Sequence, residues 1–244
     1  MAGRSFAELM CRVVEERSEP RLVVVLCHGY GAPADDLVPI GAEIQRTDEG
    51  IGEHVRFYFP AAPIDLGPHG LPGGRAWWPI NMAQLVEASE SGRWEDVRKA
   101  MPGGMTDARE KLMACLEAIQ EETGLPWSRF VLGGFSQGAM LATDVALHLP
   151  ETPAGLIVAS GTLLNEESWR ERAATKQGLR VIQGHGEADP LLPFAGAVAL
   201  RDLLEDSGQH VQFLPFRGGH TIATSLLVEM ARQLAELAAE PEGI

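Results

Sequence analysis

The sequence predicts an α/β chain built on a mainly parallel central sheet with helices on both faces. Three observations carry that expectation. Apolar, β-branched runs alternate along the chain with helical patterns, as in repeated strand–helix units. The run Leu22–Cys27 is apolar throughout, which is how a strand covered on both faces reads. A third signal is Gly133-Gly134-Phe135-Ser136-Gln137-Gly138, which sits where an apolar run meets a helical one. Gly-x-Ser-x-Gly at a strand-to-helix corner projects a serine hydroxyl from the carboxyl edge of a parallel sheet.

The elements follow in order. Leu22-Val23-Val24-Val25-Leu26-Cys27 predicts the first strand, ending in His28-Gly29-Tyr30-Gly31. Asp35 to Thr47 predicts a helix with Leu37, Ile40 and Ile44 on one side, and Val55 to Pro60 a second strand. Residues 61–81 are rich in Pro and Gly and hold Trp77-Trp78, which predicts an irregular loop of functional length. Asp107 to Glu122 predicts a helix, with Asp107 and Glu110 as a start signal and Gly124 as a stop. Arg129 to Leu132 is the strand into the serine corner and Leu141 to His148 the helix out of it. Ala154–Ala159, Leu179–Gln183 and Val211–Pro215 predict three further strands, with helices over 191–207 and 221–239. No linker, repeat or low-complexity segment interrupts the pattern, so residues 1–244 are expected to form one domain.

Composition narrows the function. A net charge of −14, from 20 basic and 34 acidic residues, disfavours a nucleic-acid partner and docking on anionic lipid. Cys11, Cys27 and Cys115 form no CxxC and no metal-ligand spacing, and free buried thiols suit a reducing compartment. The first residues lack the apolar core of a secretory signal, and 18 apolar residues nowhere run together. The expectation is a soluble cytoplasmic chain without stable membrane insertion, with a homodimer left open.

A serine hydroxyl attacks well only when a base takes its proton, and a histidine base works best when a carboxylate orients it. Downstream of Ser136 lie His148, His185, His210 and His220. His148 belongs to the helix after the corner, about three turns on, and cannot reach back, and His210 opens a strand at the remote edge. His220 follows Gly218-Gly219 beyond the strand Val211–Pro215, on a loop at a strand's carboxyl end, where such sites gather their groups. The acid is expected on Gln183-Gly184-His185-Gly186-Glu187-Ala188-Asp189-Pro190. Asp189 is preferred because Pro190 holds it extended, with Glu187 facing solvent and His185 structural in that turn. The backbone N–H groups of Tyr30 and Gln137 are the expected oxyanion donors. Leu71, Trp77 and Trp78 are expected to wall a pocket, while Trp94 and Met101 cap the core.

These segments resemble the carboxylesterase/phospholipase family of α/β-hydrolases that includes the acyl-protein thioesterases. Leu26-Cys27-His28-Gly29-Tyr30-Gly31 is similar to the family's L-H-G-x-G segment, and Phe59-Pro60-Ala61-Ala62-Pro63 follows as in that family. Ala76-Trp77-Trp78-Pro79-Ile80 is similar to its Trp-containing loop, and the serine corner matches G-G-F-S-Q-G residue for residue. His185-Gly186-Glu187-Ala188-Asp189-Pro190 and Gly218-Gly219-His220 complete a likeness over most of residues 21–238. It implies a Ser136–Asp189–His220 triad, no metal, no cofactor, and a small-molecule ester or thioester as substrate. The chain departs from the pattern at Cys27 for a common leucine, Pro79 for a usual aspartate and Ala139 for a frequent glycine. The resulting expectation is a serine carboxylesterase for short- to medium-chain esters. A protein thioesterase or lysophospholipase, and a non-catalytic binding member of the fold, stand as alternatives.

Overall fold

The computed structural model describes residues 3–80 and 94–241. Its strands are β1 (Gly3–Phe6), β2 (Leu9–Val14), β3 (Leu22–Cys27), β4 (Val55–Pro60), β5 (Ile64–Asp65), β6 (Arg75–Ala76), β7 (Phe130–Phe135), β8 (Gly155–Ala159), β9 (Arg180–Gly186) and β10 (His210–Phe216). Its helices among the described residues are α1 (Val38–Thr47), α2 (Glu49–His54), α3 (Trp94–Lys99), α4 (Met105–Thr123), α5 (Gln137–His148), α6 (Glu166–Ala173), α7 (Phe194–Asp206) and α8 (Thr224–Ala239).

Eight strands form one sheet in the order β1-β2-β4-β3-β7-β8-β9-β10, while β5 and β6 pair separately. From β4 to β10 every neighbour runs parallel; the hairpin β1–β2 adds antiparallel strands at one edge. The continuous apolar runs have the expected cause. On β3, Val23, Val25 and Cys27 face a core shared with α4 and α5, including Met105, Leu112, Leu116, Leu141 and Val145. Leu22, Val24 and Leu26 face the other core, filled by Val38 and Ile44 of α1 and Met230, Leu234 and Leu237 of α8. Each such side chain, fully buried, is worth about 1.5–3 kcal/mol over an exposed one.

Several boundaries differ from the sequence reading. The hairpin β1–β2 was not expected. Its turn runs through Ala7 at φ 49° rather than through a glycine or asparagine, so no turn residue announces it. Helix α1 starts at Val38, because 33–38 close as successive short turns ahead of Pro39. Helix α7 starts only after Pro193. Strand β9 runs on to Gly186, so His185 is a strand residue rather than a turn residue.

Asp144 of α5 is fully buried and ties three helices together. Its carboxylate accepts from Arg109 of α4 (3.1 Å) and from the Trp169 indole of α6 (2.7 Å). His148 belongs to this network, its Nδ1 donating to the Asp144 carbonyl at 2.7 Å. Cys11 and Cys115 place their sulfurs 3.6 Å apart, and all three cysteines are buried and free. The Cys115 contact and burial push the Cys11 thiol up, and burial does the same to Cys27, so neither is a ready nucleophile. No helix among the described residues is long and apolar enough to cross a membrane.

Candidate active site

Ser136 stands at the corner between β7 and α5 with φ 53° and ψ −118°. Such a backbone costs a non-glycine residue about 1–3 kcal/mol and persists only where its surroundings impose it. Here the Ser136 N–H donates to the Ala159 carbonyl (2.9 Å), and its own carbonyl accepts from Ala139 and Met140 (3.0 and 3.1 Å). Gly134 and Gly138 admit the close approach: a Cβ on either would run into the Cys27 carbonyl at the end of β3. The first turn of α5 therefore lies directly on the start of the 28–31 loop.

His220 reaches the serine from the loop after β10. Its Nε2 is 2.8 Å from Ser136 Oγ and its Nδ1 is 2.7 Å from Asp189 Oδ2. The loops carrying His220 and Asp189 are zipped together, with Glu187 N–H on the Phe216 carbonyl (2.9 Å) and Ala188 N–H on the Gly218 carbonyl (3.0 Å). The Phe135 ring packs on the imidazole at 4.9 Å between centroids.

Asp189 is 8% exposed, and its Oδ1 accepts the N–H groups of Leu191 (2.9 Å) and Leu192 (3.0 Å). Burial alone pushes its carboxyl up. The hydrogen bond from His220 and those from Leu192 and Leu191 outweigh burial, and the net position is below the ordinary carboxylate value. Glu187, the other carboxylate of this loop, is exposed. His185 lies fully buried behind Asp189, with Nε2 donating to the Leu192 carbonyl (2.8 Å) and 3.4 Å from Asp189 Oδ2. Burial holds its imidazole below the usual histidine value, which keeps it neutral.

A cavity of about 140 Å³ opens over the serine, lined by Gly29, Tyr30, Phe135, Ser136, Met140 and His220 among others. Neither the Tyr30 nor the Gln137 backbone N–H is taken by another described residue. The Gln137 side chain is occupied: its Oε1 accepts from Trp77 N–H (2.9 Å) and its Nε2 donates to the Trp78 carbonyl (2.8 Å). The Trp77 indole donates to the His28 carbonyl (2.9 Å), while His28 Nε2 accepts from Ala62 N–H (3.1 Å) and Nδ1 donates to the Gly29 carbonyl (2.8 Å). Burial holds His28 below its usual value, consistent with this neutral tautomer.

The expected pocket walls lie in three different settings. Trp77 lies in the core, 1% exposed, and braces the 28–31 loop instead of lining a cavity, because its indole N–H has a buried carbonyl to satisfy. Leu71 is 43% exposed beside Gly31 and lines neither cavity at the site. Trp78 does line one, an apolar cavity of about 260 Å³ shared with Trp94, Val97, Met140, Leu164 and Leu192. Ile80, Met140 and Leu192 border both cavities, so the apolar one continues from the serine. Trp94, expected as a core cap, is thus also a cavity wall, and Met101 is 38% exposed. Ile80, Met140 and Leu192 were not singled out in the sequence. A larger cavity of about 1090 Å³ beside β10 and α8 contains no serine near a histidine.

A family model described as Phospholipase/Carboxylesterase matches residues 9–237. Among curated proteins the chain is similar to acyl-protein thioesterase 1 of Saccharomyces cerevisiae, 24% identical over 233 residues, covering 90% of this chain and 94% of that protein. It is also similar to acyl-protein thioesterase 1 of Eremothecium gossypii, 27% identical over 225 residues, with 88% and 87% covered. Among solved structures, esterase PE8 superposes with a TM-score of 0.80 at 28% identity, over 94% of this chain and 99% of that one. A carboxylesterase from Mesorhizobium loti shares the fold, with a TM-score of 0.73 at 18% identity and coverage of 96% and 98%.

Proposed function

Since the chain belongs to the phospholipase/carboxylesterase family of α/β-hydrolases, we propose that it is a serine carboxylesterase acting through an acyl-enzyme on Ser136. The observation that carries this reading is the hydrogen-bond chain from Ser136 Oγ through His220 to Asp189, at 2.8 and 2.7 Å. Neutral His220 accepts the hydroxyl proton at Nε2 as Oγ bonds to the acyl carbonyl carbon. The carbonyl oxygen becomes an oxyanion, facing the N–H groups of Tyr30 and Gln137 and the positive end of α5. Asp189 stabilises the imidazolium and holds its Nδ1–H. The tetrahedral intermediate then collapses, and the leaving alkoxide or thiolate takes the proton from Nε2. Water, deprotonated by the same nitrogen, attacks the acyl-serine and frees the acid.

The oxyanion assignment has a specific test. Tyr30→Phe is expected to keep kcat within several-fold, because the phenol takes no part. Tyr30→Pro deletes the N–H and is expected to lower kcat by about 10²–10³, as loss of an oxyanion donor does elsewhere. Equal losses in steady-state assays of the two variants would show that the ring, not the backbone, matters.

The acyl group is assigned to the apolar cavity beyond Met140 and Leu192, and short to medium chains are the expected fit. The curated relatives are named as thioesterases, which favours thioesters of the same acyl groups as a second substrate class. A panel of p-nitrophenyl esters from acetyl to palmitoyl, run beside the matching thioesters, tests both. We expect kcat/KM to peak at short or medium length. A steady rise to palmitoyl would favour a protein thioesterase or lysophospholipase, and no turnover of any ester would favour a non-catalytic binder.

A further inference from the structure

Ser160, the residue after β8, holds the parts of the site together in a way its local sequence does not require. It is fully buried and its φ is 48°, in the left-handed region that glycine or asparagine enters more easily than serine. A residue serving the turn alone would be less strained as glycine. What a glycine lacks is the hydroxyl, and here the Ser160 hydroxyl donates to the Thr221 carbonyl at 2.9 Å. Thr221 directly follows His220. Between Gly219 and Ile222, among the described residues, this is the hydrogen bond made to the backbone.

The position meets the other two loops as well. The Ser160 N–H donates to the Gly184 carbonyl of β9 (2.8 Å), the strand that leads to Asp189. The preceding carbonyl, that of Ala159, receives the N–H of Ser136 (2.9 Å). Two consecutive residues thus bond to the backbone at the serine corner, in the acid's strand and in the base's loop. The acid side of His220 is fixed separately, through Gly218 and Ala188. On the other flank, among the described residues, the hydrogen bond to the backbone is the one from the Ser160 hydroxyl.

We propose that Ser160 is a positioning residue for the reaction, its hydroxyl fixing the backbone at Thr221 so that His220 Nε2 stays within hydrogen-bond reach of Ser136 Oγ. This rests on reading Ser136 and His220 as nucleophile and base. Deleting the hydroxyl frees the imidazole to drift from the geometry that proton transfer needs, and small misplacements of that kind are costly to turnover.

The test compares Ser160→Gly, Ser160→Ala and Ser136→Ala with the wild type, measuring kcat and KM on a short-chain p-nitrophenyl ester and Tm by circular dichroism. Ser160→Gly relieves the left-handed strain, so its Tm should hold at or near the wild-type value. Its kcat should fall about 10- to 100-fold with KM within about twofold. Ser160→Ala should lose as much kcat but also lose Tm, since it keeps the strain without the hydrogen bond. Wild-type kcat in Ser160→Gly, with Ser136→Ala inactive, would overturn the positioning role and leave the catalytic reading standing. A kcat loss that follows Tm would also overturn it, by making the serine merely structural. Activity surviving in Ser136→Ala would instead sink the catalytic reading on which it rests.

Discussion

Replacing Ser136 with alanine is expected to remove nearly all ester hydrolysis while leaving the fold in place. The hydroxyl faces the small cavity at the mouth of the site, so its loss opens no void in the core. What fixes the corner is backbone: the N–H on Ala159, the carbonyl that caps α5, and the glycines at 134 and 138. All of these survive the change. Chemically, the variant has no atom to form the acyl bond, and His220 has no proton to accept. The worked protease case loses about 10⁶ in kcat when its serine is removed, the residual rate coming from oxyanion donors and substrate binding. A fluorophosphonate should add one adduct to the wild type, at Ser136, and none to the variant. Retention of more than a tenth of the wild-type rate, with Tm unchanged, would refute the acyl-enzyme.

The second large effect is expected at Asp189. An asparagine there can still accept the N–H groups of Leu191 and Leu192 through its carbonyl oxygen, in the place of Oδ1. Its NH₂ then occupies the place of Oδ2, 2.7 Å from His220 Nδ1. That donor forces Nδ1 to be the acceptor and moves the imidazole proton to Nε2, the nitrogen that must take the serine proton. The fold survives and the base has the wrong tautomer. The comparable protease substitution lowers kcat by about 10⁴. Glu187→Gln, on an exposed side chain in the same loop, is expected to change kcat by less than about threefold, like most surface substitutions. Measuring both variants at one neutral pH decides the assignment: a crippled Glu187→Gln beside an active Asp189→Asn would move the acid's role to Glu187.

Much of the framework is legible in the sequence, for a physical reason. A strand buried on both faces must be apolar throughout, and Leu22–Cys27 is legible on that ground. The close approach of β7, α5 and β3 admits only glycine at 134 and 138, so the corner was legible too. The elements that escaped lack such constraints. The β1–β2 hairpin turns on an alanine. Helix α6 carries mostly charged residues and buries only Trp169 and Ala173, so it shows no apolar stripe. The cavity walls were hardest to read. Ile80, Met140 and Leu192 come from segments far apart in sequence, and only the closed sheet brings them together. Trp77 and Trp78 are adjacent and chemically alike, yet one braces a loop and the other faces the cavity; only the direction of each indole separates them.

The far end of the molecule adds a mechanical point. At the start of β7, the Arg129 guanidinium donates to the carbonyls of Leu237 (3.0 Å) and Glu240 (2.8 Å), at the end of α8. Strand β7 ends at the serine, and α8 begins just after His220. The two elements are therefore rails of a closed frame, riveted by a guanidinium at one end and by the serine–histidine contact at the other. With 16 residues, α8 spans about 24 Å at 1.5 Å per residue. Between those two ends, Val131 of β7 and Met230, Leu234 and Leu237 of α8 share one core, so the frame is filled along its length as well as joined at its corners.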